Sequence, residues 1–183
     1  MMAGLLRVEP FSKLSKSGKE MLTDGLRWDK YTIGERIYRQ DEMPSRLHFI
    51  VKGEARLLVE SLEKNSLITL RKIREGTLIG WAGLVRGEAC ETIQTSMDVE
   101  TISFPSEIFV RLALTEKNFA GYFEAKANEH ECWAVFKKYL EQFPYQSDKL
   151  DSIVKIACTQ AEIKRKEEEY QEKYDYLMST AQC

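Results

Sequence analysis

Few side chains in this sequence are soft metal ligands or thiol nucleophiles. The cysteines are Cys90, Cys132, Cys158 and Cys183, and the histidines are His48 and His130. His48, Cys90, His130 and Cys132 are the soft ligands worth weighing. His130 and Cys132 stand two apart in a stretch of helical spacing, which turns them to different faces and makes a poor zinc pair. The cysteines are scattered, and no C-x-x-C occurs. They read as free thiols, packed in part as small hydrophobes, and not as iron–sulfur ligands or a disulfide framework. Neither G-x-x-x-x-G-K-S/T nor G-x-S-x-G is present, and no cysteine has a convincing histidine partner. The carboxylate pairs look like surface charge. The chemistry expected is therefore binding and not catalysis, with no metal and no resident cofactor.

The elements that would position a binding site change character along the chain. Residues 9–26 read as a helical preface, with Phe11, Leu14, Met21, Leu22 and Leu26 as the apolar face and Ser12, Ser15 and Ser17 as candidate caps. From Trp28 to Phe104 the period is mostly two, broken every eight to twelve residues. Arg36–Arg39, Leu47–Val51, Ala55–Glu60, Leu67–Ile73, Thr92–Ser96 and Val99–Phe104 read as strands, with Ala55–Glu60 pairing back on Leu47–Val51 as a hairpin through Lys52-Gly53. Seven or eight short strands at this spacing indicate a barrel, sandwich or jelly roll. After Pro105, Ser106 can cap a helix bearing Ile108, Phe109 and Leu112. Residues 118–143 carry Phe119, Phe123, Trp133, Phe136 and Leu140 at helical spacing, with a joint near Gly121. Phe143-Pro144-Tyr145 stops that run, Ser147 can cap a further helix, and residues 162–173 read as a solvated charged face.

Composition sets limits. Of 183 residues, 43% are hydrophobic and 31% charged, as in a soluble globular chain. Twenty-seven Lys+Arg against 29 Asp+Glu give a net charge of −2, which argues against a nucleic-acid partner. No apolar run approaches the roughly 20 residues of a membrane span, and residues 1–14 lack a signal peptide's pattern. The expectation is a cytoplasmic chain, or one on the cytoplasmic face of a membrane protein, with no direct membrane insertion.

The stretch Gly34–Ala55, GERIYRQDEMPSRLHFIVKGEA, is the informative one. It resembles the opening strands of the cyclic-nucleotide-binding domain family, which includes the CRP/FNR regulators. Gly34, Ile37, Gln40, Asp41, Leu47, Ile50 and Gly53 fall in register with that family's pattern, and the resemblance covers roughly residues 8–125. It implies an α+β fold: a double-stranded β-helix, or jelly roll, with an N-terminal helix and a C-terminal helical extension. The expected domains are a roll with flanking helices over 1–125 and a helical extension or linker over 126–183.

The same resemblance implies a phosphate-binding cassette near residue 80, F-G-E-x-A/S-L…R-A/S/T-A in the family. There backbone N–H groups and an arginine hold the cyclic phosphate, and the glutamate accepts from the ribose 2′-hydroxyl. Here the stretch is Ile79-Gly80-Trp81-Ala82-Gly83-Leu84-Val85-Arg86-Gly87-Glu88-Ala89-Cys90-Glu91-Thr92. Gly80, Gly83 and Leu84 match. Trp81 stands at the glutamate position, and Ala89 or Cys90 at the arginine position. Both decisive groups are absent, so cyclic nucleotide is disfavoured as a ligand and no other is named. Trp81 reads as core or as a plug adding bulk where the sugar would lie, with base stacking as the sharper alternative. Arg86 reads as a solvated loop residue or as a phosphate ligand from a shifted position. Thr92 closes the candidate set.

No helix-turn-helix pattern occurs in residues 126–183. The phrase GWAGLVRGEACE and a tail with W-x-x-F-x-x-Y-L resemble the N-terminal module of cyanobacterial ABC exporters of the peptide-secretion type. Together these resemblances imply a non-enzymatic regulatory or sensory module controlling an attached or partner effector such as an exporter. A ligand-free docking domain and a stand-alone CRP-like regulator are the alternatives, and a homodimer is left open.

Overall fold

The computed structural model describes residues 4–117, 119–124, 129–142 and 149–160. The alternation read from the sequence becomes eight strands: β1 Arg27–Tyr31, β2 Arg36–Tyr38, β3 Arg46–Lys52, β4 Glu54–Glu60, β5 Leu67–Arg74, β6 Leu78–Ile79, β7 Thr92–Thr95 and β8 Val99–Pro105. They form two four-stranded sheets, ordered β1-β8-β3-β6 and β2-β7-β4-β5. This is the jelly roll with flanking helices expected above. The helices are α1 Lys16–Asp24, α2 Trp81–Arg86, α3 Ser106–Thr115, α4 Phe119–Glu124 and α5 Glu129–Gln142, with residues 150–160 as α6. Gly121 lies inside α4 and is not a joint. None of the described helices is long and apolar enough to cross a membrane.

One expectation is corrected. β3 and β4 are not paired as a hairpin. β3 pairs with β8 and β6, and β4 with β7 and β5. The cause sits at Gly53, where the chain passes from one sheet to the other. Its φ is +98°, and a Cβ there would lie 2.2 Å from the backbone oxygen of Asp98. A left-handed corner pressed against another backbone admits only glycine. Gly53→Ala is expected to cost about 2–3 kcal/mol. It should show as a lower urea midpoint at constant slope, and an unchanged midpoint would refute this account of the corner.

Contacts divide the chain into two compact units, Met1–Val59 with Leu67–Lys126, and Glu60–Ser66 with Ala127–Cys183. In the first, each face of the β3 strand has its own core. Leu47 and Phe49 join a helical cluster with Phe11, Phe104, Phe109, Phe119 and Phe123, all 6% exposed or less. Its rings meet edge to face at centroid distances of 5.0–5.8 Å, a geometry favoured beyond area burial. Ser15, one of the expected caps, accepts from Gly18 N–H at 3.0 Å as the α1 N-cap. Its hydroxyl and N–H donate to the Glu116 carboxylate just beyond α3, at 2.5 and 3.1 Å. Ser106 is the first residue of α3, and its hydroxyl donates to the Pro44 carbonyl.

The second unit is organised around the loop Glu60–Ser66. The Trp133 indole N–H donates to the Glu60 carbonyl at 3.1 Å. The Asp151 carboxylate accepts from Ser61 Oγ at 2.5 Å and from Leu62 N–H at 2.6 Å, while Asp151 N–H donates to Glu63 at 2.9 Å. Trp133, Val154 and Cys158 are buried here. The aromatic residues of 107–143 were expected to pack against the roll and not to form a separate domain; that holds for Phe109, Phe119 and Phe123 of the first unit, but Trp133 and Phe136 belong to the second. The expected stop at residues 143–145, the Ser147 cap and the charged run 162–173 lie outside the described residues, as does Cys183.

Candidate functional site

The candidate cassette runs from β6 through α2 to β7. Gly80 precedes α2 with φ +88°, and Gly87 ends it in the left-handed region. Gly83 is buried, and a Cβ on it would meet the Glu88 carbonyl at 3.0 Å. Glu88 N–H closes the turn onto the Gly83 carbonyl at 3.1 Å. The glycines thus let residues 87–91 fold tightly back over α2.

The sequence-predicted residues then separate. Trp81 does not add bulk inside the roll. Its ring lies on Phe123 of α4, with centroids 5.4 Å apart, and with Leu84 it flanks the helical cluster. The reason is helical geometry: in a helix entered at Gly80, residues 81, 84 and 85 share the face that meets α4. Arg86 is exposed at the far end of α2, and Ala89 and Cys90 are half-buried in the returning loop. Thr92 is buried, and its hydroxyl accepts from Gln40 N–H at 3.2 Å, tying the cassette to the chain beyond β2.

The side chain that meets Gly80 from within the roll is Tyr38, which the sequence reading did not single out. A Cβ on Gly80 would lie 2.3 Å from the Tyr38 hydroxyl oxygen. That hydroxyl donates to the Arg46 carbonyl at 2.8 Å, with the Ile79 carbonyl at 3.3 Å. Tyr38 is 7% exposed. Burial pushes its pKa well above the usual value, and the nearby Glu91 carboxylate adds to the rise. Glu91 is half-buried, with its Oε2 atom enclosed.

A polar cluster continues inward from Tyr38. His48 packs edge-on against Tyr38 and Tyr31, at 5.7 and 5.5 Å. Its Nδ1 lies 3.0 Å from Thr101 Oγ1, and its Nε2 lies 3.3 Å from the Tyr31 hydroxyl. Asp29 Oδ2 stands 3.8 Å from Nδ1. Burial depresses the His48 pKa to about 4, against the pull of Asp29. Burial also opposes the charge on Asp29, but hydrogen bonds from Ser103 and Arg27 outweigh it and hold that carboxyl below its usual value. The Arg46 guanidinium is engaged in structure: Nε donates to Ser103 Oγ at 2.8 Å, and Nη2 to the carbonyls of Gly25 and Ser103 at 3.0 and 3.1 Å. Tyr38 and His48 lie in stretches that the sequence marked as strands. Nothing in the spacing told that they touch.

Residues 28–116 match the family model described as cyclic nucleotide-binding domain. Over that span the chain has the β-roll fold of the solved structures to which it is similar. A search of curated sequences finds no match. Among solved structures, the regulatory domain of Toxoplasma gondii PKA co-crystallised with cAMP is similar at 18% identity and a TM-score of 0.58, over 67% of this chain and 46% of that one. A putative cyclic nucleotide-binding protein from Geobacter metallireducens is similar at 12% identity and 0.54, over 64% and 84%. The regulatory subunit of a cAMP-independent protein kinase A from Trypanosoma cruzi bound to guanosine is similar at 16% and 0.53, over 68% and 47%. The likeness thus spans less than half of each kinase regulatory chain.

Proposed function

We propose that this chain is a non-enzymatic regulatory module whose roll has lost the phosphate site of its family and does not respond to cyclic nucleotides. The observation that carries the reading is the pairing of Tyr38 and Glu91 at the cassette. The tyrosine hydroxyl fills the space beside Gly80, and the charge facing it is a carboxylate. Burial of a cyclic phosphate needs a cation and convergent N–H groups, and the position implied for that cation holds Ala89 or Cys90.

A carboxylate and a phenol suit a ligand that is uncharged and rich in donors. A nucleoside fits that class, and the trypanosomal neighbour bound to guanosine lends it support. The expected effector is an attached or partner protein. Its identity as a peptide-secretion exporter rests on sequence phrases alone, and the domain content of the complete gene product tests it.

Thermal melting in the presence of guanosine and of cyclic AMP, each at the same millimolar concentration, tests the ligand class. Guanosine is expected to raise the melting temperature and cyclic AMP to leave it unchanged. Equal shifts for both would overturn the proposal. Glu91→Gln should weaken the guanosine effect and leave the ligand-free melting temperature within a few degrees.

A further inference from the structure

The second unit holds a feature that the ligand reading does not use. Cys132 on α5 and Cys158 on α6 are both free thiols, and their side chains are in hydrogen-bond contact. Cys158 is 1% exposed, whereas Cys132 is half-buried. Around them Trp133 and Val154 are 2% and 3% exposed, so the pair sits where α5 and α6 share the core of their unit. Two thiols in contact, one half-buried and one enclosed, have the arrangement that an attacking and a resolving cysteine need.

We infer that Cys132 and Cys158 form a reversible disulfide that staples α5 to α6 when the chain meets a low-molecular-weight disulfide such as glutathione disulfide. The steps balance without any other reactant. The Cys132 thiolate attacks one sulfur of glutathione disulfide. That S–S bond breaks, and one glutathione leaves as a thiolate and takes up a proton. The Cys158 thiolate then attacks the Cys132 sulfur of the mixed disulfide, and the second glutathione leaves. The two cysteines lose two electrons and two protons, and glutathione disulfide is reduced to two glutathiones.

The surroundings set the rate. Burial raises the Cys132 pKa, and the carboxylates of Glu131 and Glu129 raise it further. Burial, then Cys132 and Glu129, push Cys158 up to about 11. Thiolate is therefore scarce at neutral pH. Oxidation is slow there and should accelerate about tenfold per pH unit up to the Cys132 pKa. The reduced form is the resting state in a reducing compartment, and the staple closes when that poise is lost.

The test is incubation of the full chain with glutathione disulfide over a range of pH, followed by alkylation and peptide mass spectrometry. The expected product is a peptide linking Cys132 to Cys158, lighter than the reduced pair by two hydrogens and reversed by dithiothreitol. Amide exchange should slow across residues 150–160 in the oxidised chain. Cys158→Ala should leave Cys132 as a mixed disulfide with glutathione. Three results would each overturn the inference: Cys132 of the unaltered chain ending as the mixed disulfide, Cys132 linking to Cys90 or Cys183 instead, or both thiols remaining alkylatable after prolonged exposure at alkaline pH. Because the main readout uses the unaltered protein, it does not depend on any variant folding.

Discussion

A chain ended at residue 118 is expected to lose its cooperative unfolding transition at room temperature. Phe119 and Phe123 of α4 are each 2% exposed. They complete a cluster whose other members come from the first residues of the chain, from β3 and β8, and from α3. Removing one buried phenylalanine costs about 3–5 kcal/mol. Two neighbouring ones do not add exactly, but even about 5 kcal/mol takes the lower end of the whole stability of an ordinary domain. Trp81 would lose Phe123, its ring partner, as well, so the cassette helix should loosen with the core. A chain ended at residue 126 keeps α4 and is expected to retain the transition. Circular dichroism melts of the two chains decide the matter. Equal melting temperatures would mean that α4 is an accessory and not part of the core.

Stability is expected to fall by about 3 kcal/mol between pH 6.5 and pH 4, with His48 as the principal cause. The folded chain holds that imidazole neutral, with a pKa of about 4, whereas an unfolded histidine titrates near 6.5. Above about pH 6.5 both states are neutral, and the full stability is present. As the pH drops below that value, the unfolded chain binds a proton that the folded chain refuses. Stability then declines by up to about 1.4 kcal/mol per pH unit, until the folded imidazole titrates near pH 4. The charged groups facing it are Asp29, Arg46 and Arg27. Asp29 is depressed and contributes its own acid-sensitive stability only below about pH 4, so the two windows separate. His130, also depressed by burial, acts in the same sense in the second unit. The difference between the unaltered chain and His48→Gln therefore isolates His48. Urea midpoints across this range should slope steeply for the former and much less for the latter. Parallel slopes would show that the buried histidine is not the sensor of acid.

Much of this architecture was legible in the residues, and the reasons differ from element to element. Period-two alternation and the spacing of Gly34, Gly53 and Gly76 marked the strands, because backbone turns with positive φ need glycine. Ser15 as a cap and the aromatic face of residues 109–123 followed from helical periodicity. Sheet membership did not follow. A glycine after a strand reads equally as a hairpin turn or as a corner between sheets, and only the approach of the Asp98 carbonyl to Gly53 distinguishes them. The candidate cassette was marked by its glycines, and of the readings of Trp81 the packed one, not the plug, fits its place on Phe123. The family pattern places a ligand-facing side chain there, whereas the α2 face in this chain turns the indole to Phe123. Tyr38 and Glu91 were invisible as a pair. They are far apart in sequence, and their electrostatic coupling depends on how the chain returns from α2 to β7.

Isothermal titration of the full chain with cyclic AMP and cyclic GMP tests the central claim most directly. Loss of a charge-assisted bidentate contact in a partly buried site costs about 2–5 kcal/mol, or roughly thirty- to several-thousand-fold in affinity. The account predicts no measurable heat of binding for either nucleotide up to concentrations of about 100 μM. A dissociation constant at or below the micromolar range, abolished by Arg86→Ala, would contradict it and make the domain a nucleotide sensor whose phosphate site is rebuilt around the exposed end of α2.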